Sequence, residues 1–171
     1  MEKNQMNETK ESIPMGNAEW QKTVTSIPVV CDITETTAEG VIRQVLAAVL
    51  EQNDLPMDKL DAMVSTVIAH SLCDISFVAM HGLAIPHGYV PGLEKMLVGI
   101  GVLRHGSSID LNAIDGSRTH IFFVIVGSGP DQAGYRQFLA RLCSRLISDD
   151  MVSRLDSVST RNDLVALLSG N

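Results

Sequence analysis

Two short apolar runs near the middle of the chain limit its fold more than any other feature. One covers residues 96–103 and is broken only by Gly99 and Gly101, while the other covers residues 121–126 without a break. A run without polar alternation predicts a strand covered on both faces, since a half-exposed strand alternates apolar with polar residues. The two glycines predict a close neighbour against the first strand. Helices are therefore expected on both sides of the sheet.

Segments of helical periodicity surround these runs. A stripe of apolar residues at helical spacing follows Thr36, and Glu39 completes a capping-box pattern with that threonine. Pro56 suits the first turn of a second helix, and residues 76–88 predict brief strands joined by tight turns. A further helix is predicted after the loop at residues 127–131.

The closing helix and the polar N-terminus complete the organisation. Thr160 and Asp163 resemble a second capping box ahead of an apolar stripe. The whole pattern predicts the α/β class, with a small mixed β-sheet sandwiched by helices on both faces, over a domain of residues 25–171. Residues 1–24 are mostly polar, with few large apolar side chains besides Trp20, and predict a flexible or loosely docked tail. Trp20 could anchor this tail to the domain surface or to another subunit.

Charge and cysteine content exclude several classes of function. The net charge of -7, from 13 basic and 20 acidic side chains, argues against a nucleic-acid partner, which needs a basic surface. No apolar run approaches the roughly 20 residues of a membrane span, and the N-terminus lacks the apolar core of a signal peptide. The 3 cysteines are widely spaced, which suits reduced thiols. We therefore expect a cytoplasmic protein without direct membrane insertion.

Among the 5 histidines, His87 has the neighbours that best suit group transfer. Pro86 fixes the backbone before it, and Gly88 is expected to leave room for an incoming group. Ser76 lies upstream, where a hydroxyl could meet a ligand. Neutral imidazole is a nucleophile near pH 7, and a transferred phosphoryl group needs donors around its three oxygens. The same residues also fit a turn in which the histidine merely caps a loop.

The segment 82–88 reads Gly-Leu-Ala-Ile-Pro-His-Gly and resembles the phosphorylation-site motif of type-2 enzyme IIA domains of the phosphotransferase system. This is the fructose, mannitol and nitrogen-regulatory family, and the order of elements resembles it from about residue 27 to 169. The resemblance implies a phosphocarrier. The family takes a phosphoryl group from the carrier protein HPr or its nitrogen-branch relative. It passes the group to a IIB domain or regulates other proteins by its phosphorylation state. His87 would be phosphorylated, and Ser76 matches a family serine.

Four positions depart from the family pattern. Ser71 stands where the family has an arginine, sixteen residues before the active histidine, and Phe77 replaces a threonine. Tyr89 replaces a frequent arginine, and Tyr135 lies at the position of the family's second histidine. Each lost charge-assisted contact would weaken the hold on the phosphoryl group by roughly 1.5–3 kcal/mol if buried and unreplaced. Two such losses predict transfer slowed by on the order of a hundredfold.

Other side chains could restore a cation, or could simply face solvent. Arg136 is adjacent to Tyr135, and Arg104 and His105 follow the first apolar run. Two or all three of His70, His81 and His87 could instead form a metal site, although no carboxylate or cysteine lies at a supporting spacing. His120 opens the second apolar run and is expected to be a strand-end residue.

Two functional hypotheses follow. The first is a working phosphocarrier with His87 and Ser76 at its site and with no metal or cofactor. Its donor is an HPr-like protein, and its acceptor is a IIB domain or a regulatory target. Because no IIB or IIC segment is attached, a nitrogen or metabolic regulatory role is expected ahead of sugar uptake. The second is a IIA-like regulatory module that binds proteins with little or no transfer. Its docking rim would consist of Phe77, Met80, Tyr89 and Tyr135.

Overall fold

A computed structural model of the chain describes residues 16–73, 80–129, 132–146 and 149–170. These residues form one helix and one strand, then two helices, four consecutive strands and three closing helices. A single 3-10 turn, Met57–Lys59, precedes the third helix. The elements are α1 (Asn17–Ser26), β1 (Val29–Ile33), α2 (Ala38–Gln52), α3 (Leu60–Cys73), β2 (Leu83–Ala84), β3 (His87–Tyr89), β4 (Leu97–Leu103), β5 (Ile121–Gly127), α4 (Gln132–Leu146), α5 (Asp149–Leu155) and α6 (Arg161–Ser169).

The strands form one 5-stranded mixed sheet, as the sequence predicts. Its order is β1-β4-β5-β2, and β3 also pairs with β5. β1 is parallel to β4, β4 is antiparallel to β5, and both β2 and β3 are parallel to β5. The two predicted apolar runs are β4 and β5, the central pair of this order.

β2 and β3 together act as one interrupted edge strand. Leu83 pairs with Ile121 and His87 pairs with Ile125, so the register against β5 is kept across the interruption. The backbone N–H of Ile125 donates to the Pro86 carbonyl at 3.0 Å. Proline lacks an N–H and is tolerated at a sheet edge, where its nitrogen side needs no partner. This edge strand fixes the position of His87.

Helices cover both faces of the sheet, which confirms the predicted sandwich. All 7 residues of β5 are buried. On one face, the apolar stripes of α2 and α3 pack against Phe122, Val124 and Val126. On the other face, α1, α4, α5 and α6 pack against the alternate residues of β5. The uninterrupted apolar run in the sequence therefore reflects burial on both sides.

The glycines of β4 admit α2 to the sheet, as the sequence predicts. A Cβ atom built on Gly99 would lie 2.5 Å from Cγ2 of Val49 and 2.6 Å from Cγ1 of Val45. A Cβ atom on Gly101 would lie 2.7 Å from Cγ2 of Val45. These separations are far below van der Waals contact, so the helix can approach β4 this closely only because both side chains are absent.

The helix caps agree with the sequence prediction at one helix and differ at another. The predicted box at α6 is confirmed, since the Asp163 amide donates to the Thr160 hydroxyl and the Thr160 amide donates to the Asp163 carboxylate. At α2 the cap is Thr37, whose hydroxyl accepts from the Gly40 amide at 3.1 Å. The prediction of Thr36 was wrong by one residue, because adjacent threonines offer the same side chain.

The N-terminal segment is more ordered than the polar composition of residues 1–24 predicts. Residues 1–15 lie outside the described residues, but Asn17–Ser26 forms α1. Trp20 is 0% exposed, and its indole N–H donates to the Leu168 carbonyl at 2.8 Å. Of the two alternatives for Trp20, the structure shows anchoring on the domain itself. The physical reason is that one large ring can bury enough apolar area to order a polar helix.

The described helices include none that is both long enough and apolar enough to cross a membrane. The longest of them are α2 and α4, with 15 residues each.

Candidate functional site

His87 is the first residue of β3, and its imidazole lies half-buried at the edge of the sheet. Its Nδ1 atom lies 2.8 Å from the carbonyl oxygen of Ile85. A carbonyl oxygen can only accept, so this hydrogen bond requires a proton on Nδ1. In the neutral imidazole that tautomer leaves a free electron pair on Nε2. The backbone thus leaves Nε2 as the ring nitrogen with a free electron pair.

Two rings flank His87 in the described part of the chain. The His70 ring, from the last turn of α3, lies 5.1 Å from the His87 ring between centroids, in a T-shaped arrangement at 66°. The Tyr135 ring, from the first turn of α4, lies 6.3 Å away. Tyr89 extends this group, because its ring lies 4.8 Å from that of Tyr135. The site is a cluster of two imidazoles and two phenols.

Gly88 brings α3 close to the site. A Cβ atom on this glycine would lie 3.4 Å from the Thr66 carbonyl oxygen and 3.4 Å from the Val67 Cα atom. A Cβ atom at Gly88 would be in ordinary van der Waals contact with α3, so this glycine faces the helix backbone, whereas the sequence prediction gave that space to an incoming group. His70 follows Val67 by about one helical turn, so the close approach of α3 at Gly88 sets the distance of His70 from His87.

Tyr135 is a hydrogen-bond donor held in its neutral form. The side chain is 5% exposed, and burial, with a smaller contribution from Tyr89, raises the pKa of Tyr135 to about 12. Burial disfavours the phenolate because that anion would lose its water. The Tyr135 phenol therefore remains protonated at any physiological pH and contributes no charge to the site.

Comparison with known proteins identifies the family of the chain. The family model described as "Phosphoenolpyruvate-dependent sugar phosphotransferase system, EIIA 2" matches residues 24–171. The chain belongs to this family. A curated relative, the 2-O-alpha-mannosyl-D-glycerate-specific EIIABC component from Escherichia coli strain K12, is 27% identical over 89 residues. That alignment covers 51% of this chain and 13% of the relative, so the chain spans only a small part of the relative's length.

Solved structures of IIA proteins share the fold. Nitrogen regulatory protein IIA-Ntr from Neisseria meningitidis superimposes with a TM-score of 0.71 and 16% identity, covering 86% of this chain and 99% of that chain. IIA mannitol from Escherichia coli gives a TM-score of 0.60 and 14% identity over 82% of this chain and 94% of that chain. The same IIA mannitol is also known in a complex with phosphorylated IIB mannitol.

The cations expected as alternatives do not lie beside His87 in this EIIA 2 chain. Val98 of β4 and His87 both pair with Ile125, so these two residues lie level in the sheet. The path along β4 from Val98 to Arg104 is about 20 Å at roughly 3.4 Å per residue. Arg104 is bound there to Asp32, with Nε and Oδ1 2.9 Å apart. His105 follows Arg104 and is exposed.

Arg136 is exposed on α4. Successive side chains leave a helix in directions about 100° apart, so Arg136 and its neighbour Tyr135 lie on different faces of α4. Ser71 lies in α3 directly after His70. Ser76 and Phe77, the other predicted members of the site and its rim, lie outside the described residues. Their roles stay predictions, and Met80 is half-buried in an isolated bridge to Leu83.

The remaining histidines have structural partners. Nδ1 of His81 lies 3.2 Å from Oδ2 of Asp115, and the His81 backbone N–H donates to the same oxygen at 2.8 Å. That backbone bond and the bonds from Ser117 lower the pKa of Asp115 to about 2. His120 packs against Gly82, where a Cβ atom would lie 2.4 Å from Cε1 of the ring.

The three-histidine metal alternative is not supported, because His81 is bound in this loop. Within the described ranges, no group of three or more histidine, cysteine, aspartate or glutamate side chains could hold a metal ion.

His70 was predicted only as a possible metal ligand. Its role as a ring that flanks His87 was not predicted. The signal was present, since His70 lies three residues after Val67 and continues the buried stripe of α3. The distance between His70 and His87 depends on a long-range approach of helix and strand, which periodicity alone does not give.

Proposed function

We propose that this chain is a phosphocarrier of a phosphotransferase-type relay and that His87 accepts the phosphoryl group on Nε2. The observation that carries the proposal is the hydrogen bond between His87 Nδ1 and the Ile85 carbonyl, which leaves the Nε2 electron pair free on a half-buried ring. Membership of the EIIA 2 family supports the reaction class. A second support is Pro86, whose carbonyl bond to β5 keeps the backbone before His87 rigid.

The transfer exchanges one nitrogen–phosphorus bond for another. Nε2 of His87 attacks the phosphorus atom of a phosphohistidine on the donor, and the bond from phosphorus to the donor nitrogen breaks. The electron pair of that bond stays on the donor imidazole, so no water or metal takes part in the balance. The proton stays on Nδ1, and its hydrogen bond to the Ile85 carbonyl oxygen stabilises the positive charge that the His87 ring acquires. The return step passes the phosphoryl group to a nucleophile on the acceptor.

The proposed partners are an HPr-like donor and a IIB domain or a regulatory protein as acceptor. The known complex of IIA mannitol with phosphorylated IIB mannitol supports a IIB domain. We also propose a cytoplasmic location, which suits the free thiols of Cys31 and Cys143. No nucleic-acid partner is proposed, because the net charge is -7.

A nitrogen or metabolic regulatory role is the finer proposal. Sugar uptake requires a continuous flux of phosphoryl groups, whereas a regulatory state requires only that the site be occupied or empty. Tyr135 contributes no charge, and Arg104 is bound to Asp32 far along β4. A site with fewer fixed cations should turn over slowly, which suits regulation better than uptake.

A protein-binding module with weak or no transfer is the second candidate. One observation favours it: Tyr89 is 39% exposed and packs against Tyr135 beside His87. Exposed aromatic side chains are common anchors of protein interfaces. In this alternative the tyrosine pair binds a partner, and His87 serves only as part of the docking surface.

A labelling experiment separates the two candidates. We expect the full chain to take up one phosphoryl group when it is incubated with phosphoenolpyruvate, enzyme I and an HPr-type carrier. Intact mass measured at neutral or alkaline pH gives the stoichiometry, and brief acid treatment should remove the label, as for a phosphohistidine. Omission of the carrier is the matched control. A folded chain that stays unlabelled with both sugar-branch and nitrogen-branch carriers would favour the binding module.

A further inference from the structure

We propose that His70 binds the phosphoryl group carried by His87 through an imidazole N–H that can also carry positive charge. This inference rests on the proposed function of His87. It gives a residue of α3 a direct part in the phosphoryl relay. His70 would be a phosphoryl-binding residue that contacts the transferred group directly.

The placement of the two rings carries the argument. The ring centroids of His70 and His87 are 5.1 Å apart at an interplanar angle of 66°, so the edge of one imidazole meets the face of the other. A phosphoryl group on Nε2 extends beyond the edge of the His87 ring, and the proposal requires it to lie on the side of that ring that His70 borders. An imidazole has one N–H donor when neutral and two when protonated, so it can bond a phosphoryl oxygen in either form.

The charges around His87 point to the same residue. Of the two rings that flank His87 in the described ranges, the Tyr135 phenol stays neutral until about pH 12. His70 is the ring that can carry a positive charge. Charge-assisted hydrogen bonds are about twice as strong as neutral ones, so His70 is the better partner for an anionic group.

His70 lies at the C-terminal end of α3. His70 is the basic residue of the last turn of α3, where the helix dipole is negative. A phosphoryl group on His87 would bring negative charge close to this imidazole, whose N–H can donate to a phosphoryl oxygen. Half-burial of His70 limits screening of that contact by water.

The close approach at Gly88 keeps this geometry in place. Backbone atoms Thr66 O and Val67 Cα lie 3.4 Å from the position of a Gly88 Cβ atom, so α3 packs directly against the strand that carries His87. His70 is therefore held by helix and strand backbone rather than by a loop. Preorganised donors of this kind stabilise transferred phosphoryl groups without a reorganisation cost during the reaction.

The test compares three substitutions at position 70. His70→Ala removes the donor, His70→Gln restores a neutral donor, and His70→Arg restores a cation. We expect the rate constant for phosphorylation at saturating HPr-type carrier to fall roughly ten- to a hundredfold in His70→Ala. It should recover partly in His70→Gln and most in His70→Arg, while the KM for the carrier stays within about twofold. His105→Ala is the matched control, since it removes an exposed histidine beyond the far end of β4.

A second measurement keeps the inference separate from the choice of donor protein. Phosphoramidate transfers a phosphoryl group to histidine without any carrier, so the lifetime of phospho-His87 can be followed directly by phosphorus NMR. We expect His70→Ala to shorten this lifetime, and the His70 ring nitrogens of the wild-type chain to shift when His87 is phosphorylated.

Wild-type rates and lifetimes in His70→Ala would overturn the role of His70 alone. Equal slowing in all three variants together with a lowered melting temperature would also overturn it, since a packing role gives that pattern. Absence of carrier-dependent labelling in the wild-type chain would overturn the proposed relay instead. That outcome is distinguishable, because phosphoramidate would still report on His70.

Discussion

Replacement of His87 by alanine is expected to abolish phosphoryl uptake from an HPr-type carrier and to leave a folded protein. Because His87 is the proposed nucleophile, its loss should lower the rate constant by on the order of a thousandfold or more. The His87 side chain is half-buried, and its hydrogen bond to the Ile85 carbonyl is local, so the fold should lose little stability. Intact mass after incubation with the phosphorylated carrier measures the uptake.

The matched control for this variant is His105→Ala. It removes a histidine of similar chemistry that is exposed and lies beyond the far end of β4. We expect this variant to be labelled at the wild-type rate, and circular dichroism should show both variants to be folded. Label retained by a folded His87→Ala protein would mean that another histidine is the acceptor, and the proposed site would then be wrong.

Replacement of Trp20 by alanine is expected to have the largest effect on stability. The ring is 0% exposed, packs on Phe138 with centroids 5.5 Å apart, and donates to the Leu168 carbonyl. Arg141 and Arg145 lie over its face at 5.4 and 5.7 Å. Truncation of a buried tryptophan costs about 3–5 kcal/mol of the free energy of unfolding. For a chain of this size, the melting temperature should fall by roughly 6–20 °C.

Thermal and urea unfolding of Trp20→Ala measure this loss. Ile114→Ala is the control, because Ile114 is 85% exposed and its truncation should change the free energy of unfolding by less than about 0.5 kcal/mol. A loss below about 1 kcal/mol for Trp20→Ala would show that α1 does not belong to the core. The effect also concerns the site, since Phe138 lies one helical turn after Tyr135 on α4.

The architecture was predictable because it depends on patterns within short segments. The apolar runs at 96–103 and 121–126 predicted the two central strands, and the glycines of the first run predicted a close neighbour, which the structure shows to be α2. The stripe after Thr36 predicted α2, and Thr160 with Asp163 predicted the start of α6. Each of these signals is local, so one sequence contains all of the information needed.

The remaining features depend on contacts between distant segments. Polar composition concealed α1, because the helix is held by one tryptophan that contacts α4 and α6. No local pattern indicated that Gly88 would face α3, because its packing partner depends on the tertiary fold. His70 was weighed as a metal ligand for the same reason, as no local pattern indicates a ring contact across 17 residues. The role of Ser76 stays a prediction.

The site residues also divide into those that a local segment predicts and those that depend on contacts between distant segments. His87 was predictable from its segment, and the structure adds the hydrogen bond that selects Nε2. Tyr135 was expected at the site from family spacing, and its ring does lie next to His87. Arg104 was offered as a distant cation, but its pair with Asp32 and its position along β4 separate it from the site. The strand register places Arg104 away from the site, and register cannot be inferred from composition.

The measurement that tests the central claim most directly is nitrogen NMR of the imidazole rings before and after phosphorylation by an HPr-type carrier. Uniform ¹⁵N labelling distinguishes Nδ1 from Nε2 in each histidine, and His87→Ala assigns the signals of that ring. The account predicts one new phosphorylated nitrogen, Nε2 of His87, with Nδ1 still protonated against the Ile85 carbonyl. A phosphoryl group on Nδ1 of His87 or on another histidine would contradict it.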